Sequence, residues 1–167
     1  AWEKERITDI TVAVDKLEKI GKEGVRKELL LRGISPATVA KLEPVISLSG
    51  STSSKLGELR NVLAGSVEGL KGVAEMEELF GYLAMEPVKS AVELDLSLAR
   101  GLNYYTGAII EVRAEDAAIG SVCGGGRYDD LTGIFGLQGF SGVGVSFCAD
   151  RIYDVMLMMN IFPDQTG

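Results

Sequence analysis

Histidine is absent from all 167 residues. That removes Ser-His and Cys-His nucleophilic catalysis and every imidazole metal ligand. Cysteine is nearly absent too. Cys123 and Cys148 sit in Gly-rich or strand-like apolar settings, and two thiolates do not complete a zinc tetrahedron, so no metal site is expected. They read as reduced thiols of a cytoplasmic protein. A basic excess is also lacking. The net charge is −7, which argues against a main nucleic-acid grip while leaving local contacts to RNA open. No apolar run approaches the roughly 18 residues of a membrane helix. The richest, Val155 to Ile161, is far shorter, and no signal-peptide pattern opens the chain. The chain begins with Ala1 and closes on a loop-like tail from Phe162, and it reads as an internal piece of a longer polypeptide.

What remains is an ordinary globular composition, 46% hydrophobic and 25% charged. Chemistry must rest on Arg, carboxylates, Tyr or backbone amides. The length suits one domain, or a small one joined to half of a larger one. The pattern changes near residue 90. Before it, Ile7, Ile10, Val14 and Leu17 recur at helical spacing, with Gly21 as a stop. A second helix is expected over Lys22 to Arg32, ending at Gly33. A third begins at Ser35-Pro36, an N-cap followed by proline where its missing N–H costs nothing. A fourth runs from about Ser53 to Leu63. A fifth, about Val67 to Leu83, carries a core stripe of Leu70, Val73, Met76, Leu79, Phe80 and Leu83.

From Ala91 the period becomes two. Val92, Leu94, Leu96 and Leu98 alternate with Glu93, Asp95 and Ser97, which predicts a strand with one buried face. Further strands are expected over Ala108 to Val112, Ser121 to Gly124 and Gly142 to Cys148, the last leading into a helix from about Asp150 to Met159. Short links make the first three strands antiparallel neighbours. The fold class is α+β: a helical module, then an antiparallel sheet with a terminal helix.

Three stretches carry possible chemistry. In Arg100-Gly101-Leu102-Asn103-Tyr104-Tyr105-Thr106-Gly107, an arginine at a strand end is ordinarily solvated and paired tyrosines are ordinarily core or rim. The same groups can fork a phosphate and orient a polar ring. In Gly124-Gly125-Gly126-Arg127-Tyr128-Asp129, three glycines suggest a turn whose N–H groups a ligand can approach, although most glycine clusters are plain turns. No Gly-Lys-Ser/Thr follows, so this is not a Walker loop. In Ser141 to Arg151, a Gly-punctuated strand enters a helix with Asp150 and Arg151 in its first turn. Asp150 suits the helix dipole and Arg151 opposes it, which leaves surface pairing or a nucleotide phosphate as the arginine's task.

Order and spacing together resemble the histidyl-tRNA synthetase family of class II enzymes. The first stretch is similar to its signature Arg-Gly-Leu-Asp-Tyr-Tyr-Thr-Gly, the second to Gly-Gly-Arg-Tyr-Asp, and the third to class II motif 3. The likeness spans nearly the whole chain and is most specific from Ala91 to Asp154. It implies a helical insertion domain over 1–88 and the C-terminal part of the catalytic core over 89–167. It implies activation of histidine with ATP and Mg²⁺, transfer to tRNA(His), and a homodimeric, cytoplasmic parent without a membrane span. Arg100 matches the catalytic arginine that neutralises the α-phosphate. Tyr105 and Tyr128 match tyrosines of the histidine pocket, Gly124, Gly125 and Gly126 the glycine turn lining it, and Arg151 the arginine that packs on adenine and contacts the γ-phosphate.

The chain departs from the pattern at Asn103, where Asp is usual, at Asp150, where Glu is usual, and at Cys148, where Gly is common and a side chain would crowd the adenine site. Motifs 1 and 2 and an anticodon-binding domain are not found, so the piece alone is expected to be inactive. Synthetase-like regulatory or tRNA-sensing modules are the main rival, although they tend to lose the Arg-Gly-x-x-Tyr-Tyr signature kept here. An unrelated, non-catalytic helical protein is the lesser one.

Overall fold

The computed structural model describes residues 6–86, 88–98 and 105–162. The chain falls into two compact units that divide between residues 102 and 103. Five helices make up the first unit: α1 (Ile7–Val14), α2 (Leu17–Leu31), α3 (Pro36–Ile46), α4 (Thr52–Val62) and α5 (Val67–Met85). The second holds strands β1 (Ile109–Val112), β2 (Cys123–Tyr128) and β3 (Gly142–Phe147), with the short helix α6 (Leu131–Ile134) before β3 and helix α7 (Ala149–Met158) after it. This is the expected α+β order. No described helix is long and apolar enough to cross a membrane.

Local chemistry sets the helix ends. Gly21 breaks α2 internally with φ +68, a backbone state that glycine adopts without steric cost. The same helix ends in a Schellman motif. The Ile34 amide donates to the Leu29 carbonyl at 3.0 Å, the Gly33 amide to that of Leu30 at 2.9 Å, and Gly33 takes φ +77. The motif turns Ile34 inward, so a helix stop also supplies a core residue. Ser35 then caps α3, its hydroxyl accepting from the Thr38 amide at 3.2 Å with Pro36 in the first turn. Ser51 and Ser66 cap α4 and α5 in the same way.

Two cores result. Ala13, Val25, Leu29, Ile34, Val39 and Ile46 close the α1–α3 layer. Leu56, Leu59, Val73 and Leu94 close the second, with Met76 and Phe80 packed against it. Leu94 corrects one expectation. Residues 91–98 form no ladder among the described residues. Leu94 is buried against α4 and α5, its amide donates to the Thr52 hydroxyl at 3.3 Å, and its carbonyl accepts from Lys55 Nζ at 2.7 Å. The alternating pattern is met by setting one leucine edge on helices, and α4 side chains serve the backbone groups that a sheet partner would.

The sheet order is β1-β2-β3, antiparallel throughout. Gly126 pairs with Ile109 on one side and Gly144 on the other, and Tyr128 pairs with Gly142. Alternation then sorts the side chains. Ile109, Glu111, Gly124, Gly126, Tyr128, Gly142, Gly144 and Ser146 share one face. Ile110, Val112, Cys123, Gly125, Arg127, Val143, Val145 and Phe147 share the other, where Cys123 is buried and the aliphatic and aromatic members are exposed.

Leu29 is wholly buried and Leu31 is 86% exposed, so the two leucines should separate cleanly on truncation. Leu29→Ala should lower unfolding free energy by about 3 kcal/mol, and Leu31→Ala by under about 0.5 kcal/mol, as read by urea denaturation.

Candidate functional site

Glycines 124–126 lie in β2, not in a turn. Glycine content is a turn signal only when the chain has no partner, and β2 has one on each side. Its amides are committed to the two ladders, so the expectation that a ligand uses them gives way to a different role for the glycines. A Cβ at Gly125 would stand 2.1 Å from the Gly144 carbonyl oxygen and 2.7 Å from Val145 Cα. One at Gly126 would stand 2.6 Å from the Ala108 carbonyl oxygen. Only glycine permits this approach.

The same absence of side chains seats the two tyrosines. The Tyr105 ring lies where a Cβ of Gly126 would point, 2.9 Å from it at Cδ1. The Tyr128 ring lies across Gly142 and Gly144, with 2.2 Å from the would-be Gly142 Cβ to Cε2 and 3.0 Å from that of Gly144 to the hydroxyl. Gly126, Gly142 and Gly144 share one face, so Tyr105 and Tyr128 lie on the same side of the sheet. Both rings are half-buried. Arg100, the arginine expected beside them, lies outside the described residues.

A polar cluster joins the segments that carry these rings. The Thr106 hydroxyl donates to Asp129 Oδ2 at 2.8 Å, and the Asp129 amide donates back to Thr106 Oγ1 at 3.0 Å. The Thr106 amide donates to the Arg127 carbonyl at 2.9 Å, which prolongs the β1–β2 pairing by a step. Arg127 Nε donates to Asp129 Oδ1 at 3.2 Å, and the Ser141 side chain also hydrogen-bonds this carboxylate. Ser141, Thr106 and Arg127 together hold the Asp129 carboxyl below its usual pKa, against the opposing effect of desolvation.

Arg151 sits in the first turn of α7, exposed, with Nη1 donating to the Ser121 carbonyl at 2.8 Å. A Cβ at Gly120 would approach the same nitrogen to 3.2 Å. Arg151 thus borders the Cys123 end of β2, and Tyr128 and Asp129 mark its other end, roughly 17 Å away for a six-residue strand. Sequence reasoning missed two residues. Asp129 was read only as part of a motif. Glu111 was not singled out, yet its side chain is 7% exposed on the glycine-lined face, where Arg113 Nε donates to it at 2.7 Å. An acid at an inward-pointing position of the Ile109–Val112 strand was the available signal.

Two outcomes follow from this geometry. Gly125→Ala should break the β2–β3 pairing, seen as loss of amide protection at Gly144 and Ser146, the β3 residues whose amides face β2, in hydrogen exchange. The Asp129 carboxyl should titrate below an ordinary aspartate, and Thr106→Val should move it upward in a carbon-detected NMR titration. Because its folded pKa lies below the unfolded one, the stabilisation it brings is complete above the unfolded pKa. It is lost as pH falls through the folded pKa.

Comparison with known proteins bears on all of this. The histidyl-tRNA synthetase family profile matches residues 11–152. A histidine–tRNA ligase of Bacteroides fragilis is 56% identical over 163 residues, covering 98% of this chain and 36% of the relative. That of Phocaeicola vulgatus is 57% identical, with the same coverage of 98% and 36%. The chain therefore spans about a third of the length of the curated relatives it matches. The crystal structure of histidyl-tRNA synthetase from Nostoc sp. PCC 7120 superposes with a TM-score of 0.83 at 32% identity, over 96% of this chain and 38% of that one. An ATP phosphoribosyltransferase regulatory subunit/histidyl-tRNA synthetase from Bacillus halodurans shares the fold, with a TM-score of 0.73 at 24% identity over 91% of this chain and 38% of that one. With the family profile running through both tyrosine segments and the arginine of α7, the chain belongs to the histidyl-tRNA synthetase family.

Proposed function

We propose that this chain is the helical insertion domain (1–88) and the C-terminal part of the catalytic core (89–167) of a histidine–tRNA ligase. The supporting observation is the pair of tyrosines on one glycine-lined face. Two phenols over a patch of glycines leave room for a small amino acid and supply polar groups to orient it.

The reaction is ATP-dependent. The histidine carboxylate attacks the α-phosphorus, pyrophosphate leaves, and the histidyl-adenylate then passes its acyl group to a terminal hydroxyl of tRNA(His) with release of AMP. Tyr105 and Tyr128 hold the amino acid, and Gly124 and Gly126 form the floor beneath it; Gly125, expected to line the same pocket, faces the other side of the sheet and lets β2 and β3 close together. Arg100 supplies the fixed positive charge that offsets charge growing on the α-phosphate. Arg151, planar and permanently charged, takes the nucleotide, adenine by stacking and the γ-phosphate by charge. Cys148, just before α7, would narrow the adenine edge. Mg²⁺ is expected with ATP. Among the described residues, however, no group of three or more His, Cys, Asp or Glu side chains is placed to hold a metal, so no step here is assigned to one. A cytoplasmic homodimer is the natural form of the full-length protein.

Histidine-dependent ATP–pyrophosphate exchange by the full-length protein tests this reading. Arg100→Ala should lower the rate at least roughly a hundredfold, the loss typical of removing a preorganised charge stabiliser. Tyr105→Phe and Tyr128→Phe should raise the KM for histidine. The 167-residue piece alone should show no exchange. A full-length protein that binds histidine without exchange would instead be a sensing module, because the shared fold does not decide function.

A further inference from the structure

Asp129 contacts both segments that carry the tyrosines, and no role in the chemistry above uses it. Thr106 directly follows Tyr105, and Asp129 directly follows Tyr128. Between them run two reciprocal hydrogen bonds, 2.8 Å from the Thr106 hydroxyl to Asp129 Oδ2 and 3.0 Å from the Asp129 amide to Thr106 Oγ1. The same carboxylate holds Ser141, the residue immediately before β3. In an antiparallel order the start of β1, the end of β2 and the start of β3 meet at one edge of the sheet. One side chain therefore ties all three strands there.

Each element at this edge needs that tie for its own reason. Residues 106–108 precede β1 and meet β2 through two backbone bonds, Thr106 N to the Arg127 carbonyl and Arg127 N to the Ala108 carbonyl, both 2.9 Å. The strand partner of Tyr128 is Gly142, the first residue of β3, which has no side chain to fix its register. Arg127 Nε reaches Asp129 Oδ1 at 3.2 Å, so the aliphatic part of Arg127 is fixed where it packs against Gly107. A carboxylate accepts from several donors at once and binds them more firmly than a neutral acceptor.

We propose that Asp129 is the positioning residue of the histidine pocket: by drawing Thr106 and Ser141 onto one carboxylate it sets the spacing of the Tyr105 and Tyr128 rings over the glycine face. This rests on the reading of that face as the histidine site. Asp129 itself touches no reacting atom. It acts through the backbone on either side of it, so its loss should weaken recognition of the amino acid and leave the nucleotide half alone.

The test is steady-state exchange in the full-length protein with histidine and ATP varied separately. Thr106→Val removes the hydroxyl at constant shape, and Thr106→Ser restores it. Thr106→Val and Asp129→Asn should each raise the histidine KM roughly tenfold, with kcat and the ATP KM within about twofold. Thr106→Ser should stay near the parent. The double variant should be no worse than the worse single one, since both changes cut the same link. Ring resonances of selectively labelled Tyr105 and Tyr128 should move in Thr106→Val, a readout that needs no activity.

Unmoved rings, additive effects, or histidine and ATP constants rising together would each overturn the proposal. Its failure is distinct from failure of the pocket reading. Silent Tyr105→Phe and Tyr128→Phe changes bring down the pocket. Normal tyrosine effects beside a silent Thr106→Val bring down only Asp129.

Discussion

A single added carbon at Gly125 would stand 2.1 Å from the Gly144 carbonyl oxygen, well inside any contact that real atoms make. Much of the second unit follows from this approach. β2 lies so close to its neighbours that its middle residues have no room for side chains. That bareness leaves the face on which the Tyr105 and Tyr128 rings come to rest. Strand pairing fixes where the rings stand, and the glycines make the space between them usable. The amides that stretch might have offered a ligand are instead given to the ladders.

Charge enters as a fastening at the margin of that face. Asp129 is partly open to water, so its value lies in geometry more than in raw Coulomb energy, which solvent screens at exposed pairs. The helical unit shows the same economy. Arg32 bridges Asp9 and Glu28, and Lys16 reaches Glu28 from the other side, so one chain of ion pairs spans α1 and α2. Lys16 and then Arg32 pull the Glu28 carboxyl below its usual pKa. The apolar cluster beneath, centred on Leu29 and Val25, carries the larger share of stability.

Much of this was legible in the residues, and what was not has physical causes. Ser35-Pro36, the Gly33 stop and the Gly21 break each act within one turn of helix, so sequence alone located them. β1, β3 and α7 were found within a residue or so of their ends, because their apolar patterns are unbroken. Residues 91–98 misled because period-two alternation describes a backbone with one apolar edge and does not say what meets that edge. Here α4 and α5 do. Glycines 124–126 misled because glycine marks both flexible turns and close approach, and only a partner strand separates the two. The family resemblance named Tyr105, Tyr128 and Arg151 as site residues. The Thr106–Asp129–Ser141 cluster could not be seen at all, since its members stand 23 and 12 positions apart in the chain and meet only through strand register.

The sheet's reverse side has a consequence of its own. Val143, Val145 and Phe147 are exposed there at 71%, 52% and 69%, beside Ile110 and Val112, and β1 and β3 are outer strands among the described residues. An oily surface on a sheet with these outer strands is a template for self-association. When this stretch of chain is handled by itself at high concentration, that side governs whether it stays dispersed or clumps, and Arg127, paired with Val143, sets a charge among its apolar groups.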